Sequence, residues 1–303
     1  MNKIKVFSGR FVVATCVILI NTCYAFTVEM LGGEKWWGVA NYYGSKMPFT
    51  EKTSLTIDLR KDGGANQYAS LLISDKGRII WCDEQTKVDI NGGRITLESK
   101  SAEVKLYETG GTLRDAFCKA AKMYFPSSGK TPDLLFFSAP QYNTWIELTY
   151  NQNETDILKY AQSMLDNGLP PGVLMIDDTW QAGYGDWRFE PTRFNDPKGM
   201  IEKLHAKGFK VLLWMCPWVS MDIPAFRRIA WGINPNDVKG YPAKGGFLMD
   251  GNKPAAVKWW NGYSALLDFT HPNARAWFKE QLDGLVKDFA VDGFKFDGGE
   301  LEF

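Results

Sequence analysis

The strongest constraint in this sequence is a change of texture near residue 131. Beyond it, short apolar runs alternate with helix-forming segments. Runs 134–137, 173–176, 211–214 and 293–296 read as strands, and segments 154–165, 199–206 and 273–289 read as helices. Strands that are apolar along their whole length are covered on both faces, which is the habit of parallel sheets. Helices between successive strands supply the crossovers such a sheet needs. Polar and aromatic residues cluster where these strands end. That pattern suits a (β/α)8 barrel, whose chemistry sits at the C-terminal ends of its strands. The strands number four, where a closed barrel needs eight. The expectation for 131–303 is therefore the first four βα units of a TIM barrel, incomplete here and C-terminally truncated relative to a longer protein.

Residues 26–130 have a different pattern. Ser54-Leu55-Thr56-Ile57-Asp58-Leu59 alternates with period two, and Asp62-Gly63-Gly64 then breaks it. Further short runs at 71–73, 78–81, 88–90, 95–97 and 104–106 are separated by turn residues such as Asp75-Lys76-Gly77 and Asn91-Gly92-Gly93. Short strands at this spacing predict an antiparallel β-sandwich. A linking helix is expected over 113–123, where Leu113, Phe117 and Ala121 recur at helical spacing. The fold class expected is thus multidomain, a β-sandwich followed by the α/β first half of a barrel.

Residues 1–25 stand apart. Lys3, Lys5 and Arg10 precede an apolar run from Phe11 to Ile20, and Cys23-Tyr24-Ala25 offers small residues at the cleavage positions. This reads as a secretory signal peptide and predicts a secreted or periplasmic protein. A run of about ten apolar residues is too short for a bilayer that needs roughly 20, so no stable membrane insertion is expected after cleavage. Cys82, Cys118 and Cys216 then remain, an odd number without a Cys-x-x-Cys pair, which allows at most one disulfide and indicates no zinc site. The formal net charge is zero and there is no basic run, so nothing in the chain suits a nucleic-acid partner. Neither His205 nor His271 has metal-ligand spacing, and both read as structural. Asn153-Glu154-Thr155 fits a glycosylation sequon and equally the start of a helix.

Two strand ends carry acids. Val173-Leu174-Met175-Ile176 runs into Asp177-Asp178, and a carboxylate at the end of a buried strand costs several kcal/mol unless it is paired or hydrogen-bonded. In Gly293-Phe294-Lys295-Phe296-Asp297-Gly298-Gly299-Glu300, strand alternation puts Lys295 and Asp297 on one face. The cation would hold Asp297 ionised, as an enzyme carboxylate attacking a sugar must be. Gly298 and Gly299 leave room for close approach. Plainer readings stay open: Asp177 and Asp178 as loop or capping residues, Lys295 and Asp297 as a structural ion pair. Twelve Trp residues could serve core or sugar platform, and Trp214, Trp218, Trp259 and Trp260 individually favour the core.

Residues 187–200, 207–218 and 293–300 together resemble glycoside hydrolase family 31. Within it, Lys258-Trp259-Trp260-Asn261-Gly262 and Leu267-Asp268-Phe269-Thr270-His271-Pro272 are similar to the branch that contains the myogenesis-regulating glycosidase, a branch associated with α-galactosides. The resemblance covers roughly residues 30–303 and includes Glu34-Lys35-Trp36-Trp37-Gly38 in the sandwich region. It implies a catalytic nucleophile at Asp297 and a substrate-contacting lysine at Lys295. It further implies a hydroxyl-binding acid at Asp177, with Asp178 as the one-residue alternative, and pocket aromatics at Trp214 and Trp260. The implied activity is that of a retaining exo-α-glycosidase acting on an oligosaccharide or glycoside, α-galactoside before α-glucoside or α-xyloside. No organic cofactor or metal is implied. The family's acid/base has no counterpart here. The alternative is accordingly a sugar-binding or inactive pseudoenzyme fragment, and the 303-residue chain by itself is expected to be inactive. Another α-galactosidase family with a (β/α)8 fold fits the fourth-strand ending less well.

Overall fold

The computed structural model describes residues 24–61, 67–232 and 245–299. The signal segment up to Cys23, the Asp62-Gly63-Gly64 break and Glu300 lie outside the described residues. The chain divides into two compact units, one ending at Ser127 and one beginning at Ser128.

Among the described residues, the first unit holds eight strands: β1 (Tyr24–Glu29), β2 (Trp36–Ala40), β3 (Leu55–Asp58), β4 (Tyr68–Ser74), β5 (Arg78–Cys82), β6 (Lys87–Asn91), β7 (Arg94–Ser99) and β8 (Val104–Glu108). They form two four-stranded antiparallel sheets, in the orders β1-β7-β6-β3 and β2-β4-β5-β8. Val28, Ile57, Val88, Ile90, Ile95 and Leu97 of the first sheet share a core with Trp36, Leu72, Ile80 and Val104 of the second. That is the expected sandwich. It contains two strands that periodicity did not reveal, β1 and β2. Tyr24 and Ala25 pair with Ser99 and Glu98 within β1, although both lie on the signal side of the expected cleavage point.

In β2, Gly38 has φ +137° and a Cβ there would meet the Leu71 carbonyl at 2.1 Å, so only glycine fits this irregular pairing with β4. Glu34, just before β2, has a fully buried side chain paired to Arg78, whose guanidinium also lies over the Trp36 ring. The Glu34–Gly38 stretch therefore serves the sandwich core.

Helix α1 (Leu113–Tyr124) begins at a capping box made by Thr112 and Asp115. It packs against the outer face of the second sheet through Ala116 and Ala120, which meet Ile79, Leu71 and Ile73. Phe117 is 60% exposed. The helix is part of the first unit.

The second unit follows the α/β plan with one correction. Residues 134–137 are not a strand. Asp133 accepts from the Leu135 amide and starts the short helix α2 (Leu135–Ser138), leaving Leu134 and Phe137 more than 70% exposed. The first strand is instead β9 (Gln141–Asn143), after Pro140, followed by the single-turn helix α3 (Trp145–Leu148). Helix α4 (Glu154–Asp166) is capped by Asn153, whose side chain accepts from Asp156 N and donates to Asp156 and to the Asn151 carbonyl. The helix-start reading of that sequon accounts for its asparagine. Strand β10 (Val173–Ile176) leads into a hairpin, β11 (Gln181–Gly183) and β12 (Asp186–Phe189), then α5 (Pro197–Ala206) capped by Asp196.

Strand β13 (Lys210–Met215) is followed by β14 (Trp218–Ser220), α6 (Pro224–Trp231), the small pair β15 (Met249–Asp250) and β16 (Lys253–Pro254), and the hairpin β17 (Val257–Trp259) and β18 (Gly262–Leu266). Helix α7 (Pro272–Phe289) is capped by His271 and leads to β19 (Gly293–Phe296).

The sheet order is β19-β13-β10-β9, with every neighbour parallel. This is a run of four adjacent barrel strands. One continuous core of Leu174, Ile176, Val211, Leu213 and the inner faces of α4, α5 and α7 covers it. Both histidines are structural, as expected: His205 pairs with Asp292, and His271 accepts from Asn273 N. Cys82, Cys118 and Cys216 are free thiols. Among the described residues, no helix is long and apolar enough to cross a membrane.

Candidate active site

The C-terminal ends of β9, β10, β13 and β19 open into one pocket of about 250 Å³. Its lining includes Asp177, Asp178, Trp214, Trp260, Lys295 and Asp297, so all six residues singled out from the sequence meet there. Asn143, Trp145 and Tyr150 line it as well, and sequence reasoning missed all three. They belong to or come shortly after the polar strand β9, which lacks the apolar run that marks the other strands.

Asp297 immediately follows β19, and its amide donates to the Met215 carbonyl, which locks it against the end of β13. Its Oδ2 accepts from the Trp214 indole at 2.9 Å and faces the Lys295 ammonium at 3.2 Å, and Oδ1 accepts from Gly298 N at 3.0 Å. Burial pushes this carboxyl up, but the indole hydrogen bond and the ammonium outweigh it and hold Asp297 below its ordinary value. Lys295 and Asp297 share a face as alternation requires, while Phe296 points the other way and is 62% exposed. Gly298 has φ +71°, and a Cβ would sit 3.2 Å from the Trp218 ring. Backbone geometry and packing on Trp218 thus demand glycine at 298, whereas at Gly299 nothing lies within 4 Å.

Asp177 is buried at the end of β10. Its Oδ2 accepts from Asn143 Nδ2 at 2.7 Å and from Lys295 Nζ at 3.0 Å, and Oδ1 accepts from Asp178 N. Lys295 therefore bridges two carboxylates, and although burial opposes its charge, Asp177 and Asp297 raise its pKa. Asp178 turns inward. Its Oδ1 accepts from Thr179 N and Gln181 Nε2, and Oδ2 from the Tyr184 hydroxyl. Burial is the main cause that raises its pKa, and those three donors offset only part of it. Of the two adjacent acids, Asp177 is the one joined to Lys295. Thr179 then adopts φ 73°, a left-handed conformation costly for a β-branched residue, and its hydroxyl donates to the Tyr150 carbonyl.

The aromatic residues divide by depth. Trp214 is buried, its indole spent on Asp297 and its carbonyl on the Trp180 indole. Trp218 and Trp259 stack at 5.0 Å and belong to the core, and Trp260 tilts onto Trp259 but remains 48% exposed at the pocket. Tyr150, 66% exposed, meets Trp145 edge-on. An ionised carboxylate in a half-open pocket with aromatic walls can approach the electron-poor carbon of a bound sugar. Among the described residues, no group of three or more His, Cys, Asp or Glu side chains is placed to hold a metal ion.

Residues 138–303 match the model of the glycosyl hydrolases family 31 TIM-barrel domain. The chain belongs to glycoside hydrolase family 31. It is 32% identical over 182 residues to the myogenesis-regulating glycosidase of Mus musculus, covering 60% of this chain and 24% of that protein. It is 25% identical over 279 residues to the alpha-xylosidase XylQ of Lactiplantibacillus pentosus, covering 85% of this chain and 34% of that one. Among solved structures, a Flavobacterium johnsoniae family 31 dextranase complexed with isomaltotriose superposes with TM-score 0.70 at 16% identity, covering 91% of this chain and 33% of the dextranase. A family 31 alpha-xylosidase from a soil metagenome, complexed with xylose, gives TM-score 0.68 at 18% identity, covering 93% of this chain and 39% of that one. The chain thus spans between a quarter and two fifths of the length of these family 31 proteins.

Proposed function

We propose that this chain carries the nucleophile half of a retaining exo-α-glycosidase active site, with Asp297 as nucleophile. The observation that carries the reading is the Trp214–Asp297–Lys295–Asp177 cluster at the strand ends of a family 31 barrel. An ionised Asp297 oxygen bonds to the anomeric carbon as the bond to the leaving oxygen breaks, and a glycosyl-enzyme ester forms. The leaving oxygen takes a proton from a second carboxyl group, expected about 5–5.5 Å from the nucleophile. That group then removes a proton from water, whose oxygen bonds to the anomeric carbon as the bond to the Asp297 oxygen breaks, freeing the carboxylate. The proton donor is assigned to barrel strands beyond the four described here. Asp177 and Lys295 bind hydroxyls of the sugar, Trp260 packs on its apolar face, and Trp214 lines the subsite and holds Asp297. Asp178, spent on its own loop, supports the wall.

The favoured substrate is a terminal α-galactoside, with α-xyloside and α-glucoside next. Resemblance of the Trp259-Trp260 segment to the myogenesis-regulating branch supports the first, and similarity to alpha-xylosidases keeps the second in view. The basic start and apolar run of the N-terminal residues support export, to the periplasm or the medium. A panel of nitrophenyl α-glycosides, offered to the complete barrel with Asp297 and with Asp297→Ala, tests the activity. The substitution is expected to abolish turnover of every substrate that the unaltered protein cleaves. Turnover that survives it removes Asp297 from the role of nucleophile.

A further inference from the structure

Asn143 stands at the end of β9, the strand that apolar patterning did not reveal. Its Oδ1 accepts from Trp145 N at 2.8 Å, which fixes the orientation of the amide. The Nδ2 group must then face the opposite way, where it donates to Asp177 Oδ2 at 2.7 Å and touches Met175 Sδ at 3.5 Å. With these polar atoms committed inside the protein, the residue holds other groups in place more readily than it binds sugar. Its principal partner is the same Asp177 oxygen that Lys295 approaches at 3.0 Å, and Lys295 is also 3.2 Å from Asp297. Two carboxylates compete for one ammonium, and a hydrogen bond to a charged group is among the stronger ones.

We infer that Asn143 is a positioning residue: by donating to Asp177 it reduces that acid's demand on Lys295 and keeps the ammonium shared with Asp297. The inference rests on the reading of Asp297 as nucleophile for its catalytic meaning, but its geometry is independent of that reading. Among the described residues, the titratable and charged groups facing Asp297 are Lys295 on β19, Asp177 and Asp178 after β10, Cys216 after β13 and Tyr150 after β9. Only Lys295 among them is a cation, so its displacement acts directly on the Asp297 carboxyl. Without the Asn143 donor, Lys295 moves toward Asp177 and the ionised form of Asp297 loses its counter-charge.

The test is a carboxylate ¹³C NMR titration of this chain, with the Asp297 resonance assigned by its loss in Asp297→Asn. In Asn143→Leu, close in size but without a donor, the Asp297 midpoint is expected to rise by about one pH unit, the lower end of what a nearby opposite charge supplies. In the complete barrel, kcat/KM is expected to fall by roughly tenfold or more, the range for a lost hydrogen bond to a charged group. If the leucine variant does not fold, Asn143→Ala reads the same midpoint. An unchanged Asp297 midpoint in a folded variant overturns the inference. Turnover that survives Asp297→Ala overturns the nucleophile reading instead and leaves the titration result standing.

Discussion

Asp177 and Asp178 are neighbours in sequence with opposite fates. The first meets Lys295 at the pocket wall, and the second is enclosed by Thr179 N, Gln181 and Tyr184. Burial raises the pKa of Asp178, so its charge opposes folding once the pH exceeds its ordinary value of 3.8. Asp178→Asn keeps one acceptor and removes that charge, so its effect on unfolding free energy should lie within about 1 kcal/mol of neutral. Asp178→Leu strands the Tyr184 hydroxyl and the Gln181 amide and should cost about 2–4 kcal/mol. Denaturant melts of both variants check this. A large loss in the asparagine variant would show that the carboxylate charge itself stabilises the fold. Patterning marked both acids, but it could not separate them. One turn of strand-end backbone decides which of them meets Lys295, and the left-handed Thr179 that sets this turn leaves no mark in the sequence.

At the level of elements, legibility followed apolar content. Strands 173–176 and 293–296 have the expected limits, because each carries an apolar run with little polar interruption. Strand β9 did not show itself, because Gln141 and Asn143 are polar and lie at the open side of the sheet. The run at 134–137 looked like a strand because it is apolar, yet Asp133 and Pro140 bracket a single helical turn. The cost was three pocket residues, Asn143, Trp145 and Tyr150, all placed by β9 and the short helix α3 after it.

In the sandwich, β2 was hidden by its irregular pairing at Gly38, and with it the buried Glu34–Arg78 pair. Burial disfavours the Glu34 charge, but Arg78 and the Leu31 amide hold the carboxyl below its ordinary 4.5. Its contribution to stability is therefore present above pH 4.5 and is lost as the pH falls through the lower folded value. Glu34→Ala leaves Arg78 without its carboxylate partner and should cost about 3–5 kcal/mol in a denaturant melt. A loss below about 1 kcal/mol would show that solvent reaches the pair.

For the whole molecule, the sandwich architecture and three of the four barrel strands are recoverable from period-two and βα patterning, since each depends on repeated burial, while β1, β2 and β9 are not. The function is less so. Family membership rests on ordered motifs, while the substrate depends on contacts that a quarter to two fifths of a family 31 protein does not span. The central claim is that Asp297 attacks the anomeric carbon, and it can be tested without the proton donor, because a fluoride leaving group needs none. Reaction with 5-fluoro-α-glycosyl fluorides of the galacto, gluco and xylo series, followed by peptide mass mapping, is the direct measurement. The account predicts a glycosyl adduct on the peptide carrying Asp297, and none after Asp297→Ala. An adduct on Asp177 or any other residue would contradict it.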